Sequence, residues 1–276
     1  MKKSFALILI ISATTIALRE YLAEENRPEN IIETTLTSTV LGQTRELIIH
    51  LPQLYDSSAR YPVLYVLDGS SQDGPLAEKL NVLSAAGHTP KTIVVGIPNM
   101  TAQNRQFQLI PPYLHIDSEK PDSPMGDAES FLKFMETELF PFMEQNYNAS
   151  DVRLFAGNSR GGLLVMHSLV YKPEMFQARF CFSTPFWREE NRIVSEVSTV
   201  LDSLAEGRLF LYMSVGTEET DNMKNGLAAM SKILTAHSSE NITWYSEWTP
   251  NSDHQSNAHL SGVSALTKWG EYFKSY

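Results

Sequence analysis

Apolar and polar positions alternate along the chain in a way that predicts strands separated by helices. Short apolar runs of strand length recur from residue 61 onwards, as expected of parallel strands that are buried on both faces. These runs are residues 61–67, 92–97, 152–156, 176–183, 208–215 and 242–248. Helices are predicted between and after them at residues 75–86, 131–143, 163–170, 188–206, 223–236 and 260–273.

The N-terminal part of this pattern differs from the rest. Residues 31–41 are rich in β-branched side chains, Gly42 and Gln43 form a turn, and residues 45–51 return as a second strand. The pattern therefore predicts an α/β fold. It has a mostly parallel central sheet, helices on both faces and an N-terminal antiparallel hairpin.

Residues 100–126 lack periodicity. Prolines are frequent in and beside this segment, and a long irregular stretch in a compact domain is usually a functional loop or lid. The helix that follows is predicted to begin near Asp127. Pro141 should kink or break it, because proline removes a helical hydrogen bond.

A glycine-rich turn separates the strand at 152–156 from the helix at 163–170. The sequence Gly157-Asn158-Ser159-Arg160-Gly161 is a G-x-S-x-G motif in the strand–turn–helix setting of a nucleophile elbow. Small residues are required there because a serine on such a sharp turn has a strained backbone, and a neighbouring Cβ would clash. We therefore predict that Ser159 is a catalytic nucleophile.

A nucleophilic serine needs a histidine base and an acid that orients the base. In hydrolases with this elbow, the chain order is Ser, then Asp or Glu, then His. The strand at 208–215 is followed by Glu218 and Glu219, and we favour Glu219, with Glu218 as the alternative. Either carboxylate taken alone would be interpreted as a solvated surface group.

The base is sought among seven histidines. His254 and His259 both follow the last predicted strand. We favour His254, which lies in the loop, over His259, which lies at the start of the final helix. Together with Asp253 they could suggest a metal site, but no metal-binding spacing supports one, so no metal or cofactor is predicted.

An oxyanion hole in this fold uses two backbone amides. One belongs to Arg160, the residue after the nucleophile. The other is assigned by position to Gly69 or Ser70, in the loop after the strand at 61–67.

Composition and charge narrow the class of protein further. The chain is 42% hydrophobic and 20% charged, and its formal charge of −10 argues against a nucleic-acid partner. The single cysteine, Cys181, lies in an apolar run and is expected to be an inert buried thiol. Residues 1–20 resemble a secretory signal peptide, with an uncleaved anchor as the alternative, and residues 28–276 are predicted to form a single domain.

At this point the chain resembles the "putative esterase" family of the α/β-hydrolase superfamily. That family includes enterochelin and other siderophore esterases, S-formylglutathione hydrolase, feruloyl esterases and mycolyltransferases. The resemblance lies in residues 41–52, 61–69, 94–99, 131–147, 182–187 and 254–260. By position it implies the triad Ser159, Glu219 and His254.

Two residues depart from the family pattern. Gln108 stands where an aspartate is usual, so a substrate contact by that acid is in doubt. Arg160 replaces a small or apolar residue after the nucleophile. Its guanidinium group either favours an anionic or catechol-bearing acyl group or pairs with the loop of Glu218 and Glu219.

The sequence therefore predicts an exported, periplasmic or secreted serine esterase that acts through an acyl-enzyme on a small-molecule ester. A siderophore, plant or cell-wall ester is favoured over a cytosolic thioester. No stable membrane association is expected after signal cleavage, and the oligomeric state is open. An acyltransferase with the same triad and a non-catalytic binding protein are the alternatives.

Overall fold

A computed structural model describes residues 30–202, 204, 209–237 and 242–275. Its centre is an eight-stranded sheet with the strand order β1-β2-β4-β3-β5-β6-β7-β8. Strand β2 is antiparallel to β1 and β4, whereas β3 to β8 pair in parallel. The mostly parallel sheet and the N-terminal hairpin are thus confirmed.

The strands and helices have the following bounds. The strands are β1 Ile31–Ser38, β2 Gln43–His50, β3 Tyr61–Leu67, β4 Ile93–Ile97, β5 Ala149–Asn158, β6 Ala178–Phe182, β7 Leu209–Gly216 and β8 Ile242–Thr249. The helices are α1 Asp73–Ala85, α2 Ala102–Gln108, α3 Ala128–Phe134, α4 Phe140–Tyr147, α5 Arg160–Tyr171, α6 Arg188–Leu201, α7 Asp221–Ala236 and α8 Asn257–Lys274.

The sheet separates two apolar cores because successive side chains of a strand point to opposite faces. On β3, Val63 and Tyr65 pack into one core, whereas Leu64 and Val66 pack into the other. Helices α3, α5, α6 and α7 cover the first face, and α1 and α8 cover the second. Strands covered on both faces must be apolar throughout, which explains their continuous apolar runs.

The segment at residues 100–126 is more regular than predicted. It contains α2, whose N-terminus is capped by the Thr101 hydroxyl, which accepts a hydrogen bond from the Asn104 amide at 3.0 Å. An isolated bridge pairs His115 with Met125. The prediction of a wholly irregular loop was therefore wrong, because a short capped helix carries too few apolar positions to show periodicity.

Pro141 does not break the helical path. A π-helical turn, Met135–Leu139, joins α3 to α4, and the Phe140 amide donates to the Met135 carbonyl. Pro141 then lies in the first turn of α4, where its missing N–H group is tolerated. The wider turn thus absorbs the disruption that we expected from proline.

Two further predictions concern residues that lie partly or wholly outside the described part of the chain. Helix α6 ends at Leu201, before the predicted end at 206, and residues 203 and 205–208 are not described. The predicted signal peptide, residues 1–20, lies wholly outside the described residues. Among the helices described here, none has the length and apolar character needed to cross a membrane.

Candidate active site

Ser159 lies on the sharp turn between β5 and α5. Its backbone has φ 55° and ψ −120°, a conformation that non-glycine residues rarely adopt and that costs about 1–3 kcal/mol. A Cβ on Gly157 would lie 2.4 Å from the backbone carbon of Gly161, so only glycine allows the chain to reverse so closely. The turn thus has the strained geometry of a nucleophile elbow.

The Glu219 carboxylate lies in the loop after β7 and is almost fully buried. One oxygen, Oε1, accepts hydrogen bonds from the Ser183 hydroxyl at 2.6 Å and from the Gly216 amide at 2.8 Å. The other, Oε2, is 2.8 Å from Nδ1 of His254. Each carboxylate oxygen is therefore fixed by at least one donor, and the histidine ring is oriented by the second oxygen.

The electrostatics of Glu219 follow from these contacts. Burial alone would raise the pKa of the carboxyl, but the hydrogen bonds from His254, Ser183 and Gly216 outweigh burial and hold the pKa below its ordinary value. The neighbouring Glu218 is exposed. Of the two candidate acids, the structure brings Glu219 to the histidine and leaves Glu218 in solvent.

The two candidate histidines also differ in their surroundings. His254 is held by the buried Glu219 through Nδ1, and its side chain is 39% exposed, which leaves the ring accessible from solvent. His259 lies on α8, where its Nδ1 is 3.5 Å from Nζ of Lys79. In the part of the chain that the structure describes, no three His, Cys, Asp or Glu residues converge as a metal site.

Sequence reasoning missed Ser183 and Asn257, which support the Glu219 carboxylate. The Asn257 side-chain amide donates to the hydroxyl oxygens of Ser183, at 2.9 Å, and Ser214, at 3.0 Å. The Thr249 hydroxyl in turn donates to the Asn257 side-chain oxygen at 2.6 Å. Ser183 directly follows the carboxyl end of β6, so the rule that ligands bind beyond these strand ends could have identified it.

The loop after β3 carries the predicted oxyanion donors. The Gly69 amide donates to the Ile97 carbonyl at 3.2 Å, so this amide is already engaged. Ser70 has φ 77°, which directs its backbone differently from that of an ordinary turn residue. The Ser70 amide faces the Asp73 carboxylate, so both amides predicted in this loop have a partner within the protein.

A buried histidine–aspartate contact lies behind this loop. Nε2 of His50, on β2, is 2.7 Å from the carboxylate of Asp73, the first residue of α1. Burial raises the pKa of the Asp73 carboxyl, but His50 and the nearby amides of Asp73 and Ser70 outweigh burial and lower it. The pair therefore ties the start of α1 and the Ser70 turn to the neighbouring strand.

A cavity of 370 Å³ opens beside the turn that carries Ser159. Its lining includes the Asp68–Ser70 turn, Asn99, Arg105 and Asn158, the residue before Ser159. The Arg105 guanidinium binds the Asp68 carboxylate through two hydrogen bonds of 2.6 and 2.7 Å, and Asn99 also donates to Asp68. Helix α2 is thereby fastened to the loop that carries Ser70.

Gln108 has a structural role in the fold. Its side-chain oxygen accepts a hydrogen bond from Nη1 of the buried Arg45 at 3.1 Å. Burial lowers the pKa of Arg45 to about 10, against the smaller opposing effect of the Glu46 charge. The side chain that replaces the usual aspartate is therefore committed to Arg45, and Cys181, as expected, is buried.

With this geometry established, the chain can be assigned to a class of proteins. Residues 38–274 match the family model described as "Putative esterase". The chain belongs to that esterase family, within the α/β-hydrolase superfamily.

Individual relatives agree with this assignment. The ferri-bacillibactin esterase BesA of Bacillus subtilis is 32% identical over 49% of this chain and 52% of its own length. The siderophore enterobactin esterase of Emericella nidulans is 28% identical over 56% of this chain and 57% of its own. The chain thus spans about half the length of these curated relatives. An IroE-like serine hydrolase of Shewanella oneidensis superposes with a TM-score of 0.77, at 25% identity, over 88% of this chain and 81% of that chain.

Proposed function

We propose that the protein is a serine esterase whose triad is Ser159, Glu219 and His254. Nε2 of His254 takes the Ser159 hydroxyl proton while Oγ forms a bond to the ester carbonyl carbon. The imidazolium that results donates its proton to the departing alcohol as the ester C–O bond breaks. Water then attacks the acyl-enzyme by the same route, which releases the acid and restores Ser159.

In this mechanism, the negative charge on the tetrahedral carbonyl oxygen is stabilised by two backbone amides. They belong to Arg160, whose amide lies at the unpaired N-terminus of α5, and Ser70. The Ser70 amide faces the Asp73 carboxylate, so it has to turn towards the oxyanion or be shared with it. Glu219 keeps Nδ1 of His254 protonated and stabilises the imidazolium.

One observation carries the proposal. A buried glutamate from the end of β7 holds Nδ1 of a half-exposed histidine from the end of β8, while a strained serine stands at the end of β5. All three lie at the same edge of a parallel sheet, where this fold binds ligands. A buried carboxylate is costly unless its partners compensate for lost hydration, and one of the partners of Glu219 is the histidine that would serve as the base.

The substrate that we favour is a siderophore-type ester. The two curated relatives named above are described as a ferri-bacillibactin esterase and a siderophore enterobactin esterase, and each matches over about half of its length. Met100, Phe107 and Met125 have exposed apolar side chains, and the first two lie close in sequence to Asn99 and Arg105 of the cavity lining. Such an apolar surface suits an aromatic acyl group. If residues 1–20 act as a signal peptide, the enzyme would meet its substrate in the periplasm or outside the cell.

The triad is tested with a fluorophosphonate probe and p-nitrophenyl butyrate. We expect the probe to label Ser159, as located by peptide mass, and Ser159→Ala to lower kcat by at least about a thousandfold. Ser84→Ala, on the distant helix α1, serves as the control. Full hydrolysis by the folded Ser159→Ala variant would reject the mechanism. A panel of catecholate and hydroxamate siderophore esters then tests the substrate class.

A further inference from the structure

Two arginines without carboxylate partners begin the helices that follow β5 and β6, and one of them, Arg160, directly follows the proposed nucleophile. Arg160 is the first residue of α5 and Arg188 is the first residue of α6. These helices follow β5 and β6, which are neighbours in register, with Asn158 opposite Phe182. The turn before Arg188 packs against the start of α5, where a Cβ on Gly162 would lie 1.8 Å from Oγ1 of Thr184.

Neither guanidinium group is neutralised by a direct contact. Within the described residues, the half-buried Arg160 side chain has no hydrogen bond or ion pair. Arg188 is 3% exposed, its Nη2 donates to the carbonyl of His115, and its buried Nε has no partner. Arg105 differs, because its two hydrogen bonds to Asp68 satisfy its charge.

The nearby carboxylates are occupied elsewhere. Oε1 of Glu189 accepts from the His115 amide at 2.7 Å, and Asp117 accepts from the Glu119 amide at 3.0 Å. Asp117 attracts both arginines through space and Glu189 attracts Arg188, without bonding to them.

The positive charges also act on each other. Burial, and then the charge of Arg105, lowers the pKa of Arg160. Burial, and then the charge of Arg160, lowers the pKa of Arg188. An anion placed between these groups would relieve both the repulsion and the missing hydrogen bonds, and guanidinium groups bind planar anions through paired N–H donors.

We propose that Arg160 and Arg188 form an anion subsite that binds a carboxylate or catecholate group of the ester substrate. The inference builds on the proposed esterase function and makes it more specific: the enzyme prefers esters that carry a negative charge near the scissile bond. Arg160 is adjacent to Ser159 in sequence, so a charge bound there is held beside the carbonyl under attack.

The test compares two esters of matched length. The mono-p-nitrophenyl ester of adipic acid carries a free carboxylate, whereas p-nitrophenyl hexanoate is neutral. We expect the wild-type enzyme to favour the anionic ester by about tenfold in kcat/KM, which corresponds to a single charge-assisted contact in a partly hydrated site. The preference should shrink at high ionic strength, because salt screens a half-buried charge pair.

Variants of Arg160 assign the preference to the subsite. Arg160→Gln keeps the backbone amide and should remove most of the preference, whereas Arg160→Lys should keep part of it. Arg60→Gln, an exposed arginine that precedes β3 at the opposite end of the sheet, is the matched control. Both esters use the same oxyanion amides, so a change in the Arg160 amide affects both kcat/KM values and cancels in their ratio. Arg188 is almost fully buried, so its replacement could prevent folding, and the test therefore uses variants of Arg160. A wild-type ratio near one, or a ratio unchanged in Arg160→Gln, overturns the subsite while leaving the esterase intact.

A binding measurement separates the two proposals. Adipate is titrated calorimetrically into Ser159→Ala and into the double variant with Arg160→Gln. Binding by the first and its loss in the second supports the subsite, even if neither ester is hydrolysed and the esterase function fails. If neither ester is hydrolysed, absence of adipate binding to Ser159→Ala rejects the subsite.

Discussion

Replacement of Ser183 by alanine tests whether the buried carboxylate network serves the reaction. The Ser183 hydroxyl is one of two donors to Oε1 of Glu219, at 2.6 Å, and the other is the Gly216 amide. A hydrogen bond to a charged buried group contributes about 1.5–3 kcal/mol, so Ser183→Ala should cost about 2 kcal/mol of unfolding free energy at neutral pH. Alanine keeps the same backbone restriction at φ 46°, so backbone strain is unchanged.

The effect on activity should be smaller than loss of a triad member but clear. With Oε1 held by one donor, the carboxylate can rotate, and the His254 ring loses part of its orientation. We expect kcat to fall about tenfold with little change in KM, because about 1.4 kcal/mol of the lost hydrogen-bond energy is then felt in the transition state. Stopped-assay kinetics with p-nitrophenyl butyrate provide the measurement.

The pH dependence distinguishes this role from simple packing. The pKa of Glu219 in the folded protein lies below its ordinary value of 4.5. Its hydrogen bonds therefore contribute stability above that value, and the contribution is lost as pH falls through the folded pKa. The stability difference between wild type and Ser183→Ala, measured by urea unfolding, should be largest near neutral pH and shrink at acidic pH.

Ser168→Ala is the matched control. Ser168 is also fully buried, and its hydroxyl oxygen accepts a hydrogen bond from Nε of Arg179 at 2.8 Å, but it lies towards the far end of α5. This variant should lose stability and keep its kcat. The reasoning is refuted if folded Ser183→Ala has wild-type kcat, or if its loss of stability is independent of pH.

Three further predictions concern the fold around the site. Burial lowers the pKa of His167 from 6.5 to about 4, and the Glu129 carboxylate, 3.8 Å away, is too distant and exposed to offset this. The folded pKa is depressed, so stability should fall by about 3 kcal/mol as pH drops from 6.5 to about 4, and His167→Gln should abolish that loss in acid-unfolding curves. Gly162→Ala should lower the unfolding free energy by about 1–3 kcal/mol, and adding Thr184→Ala should restore part of it; no rescue would contradict the clash. Asp68→Asn should cost about 1–3 kcal/mol in urea unfolding by leaving Arg105 partly buried without its anion, and an unchanged midpoint would contradict this account.

The sequence by itself determined the architecture and the position of the elbow. Continuous apolar runs predicted β3 to β8 because a strand covered on both faces must be apolar, and this requirement is local to each strand. The turn at Ser159 was equally local, since small residues two positions to either side of the serine meet the steric demand of one sharp reversal. Residues 100–126 and Pro141 were less predictable, because a short capped helix and a π-helical turn leave little periodic signal.

Tertiary structure decided which side chains meet at the site. Glu218 and Glu219 are consecutive residues, and His254 and His259 lie five positions apart after the same strand. The local pattern of apolar and polar residues therefore cannot show which acid meets which histidine. The choice follows from burial: Glu219 turns inward to three donors, while Glu218 faces water. The support from Asn257, and the juxtaposition of Arg160 with Arg188, depend on β5, β6, β7 and β8 being neighbours. Contacts between residues far apart in sequence are set by the order of strands in the sheet, which no local pattern of hydrophobic and polar residues encodes.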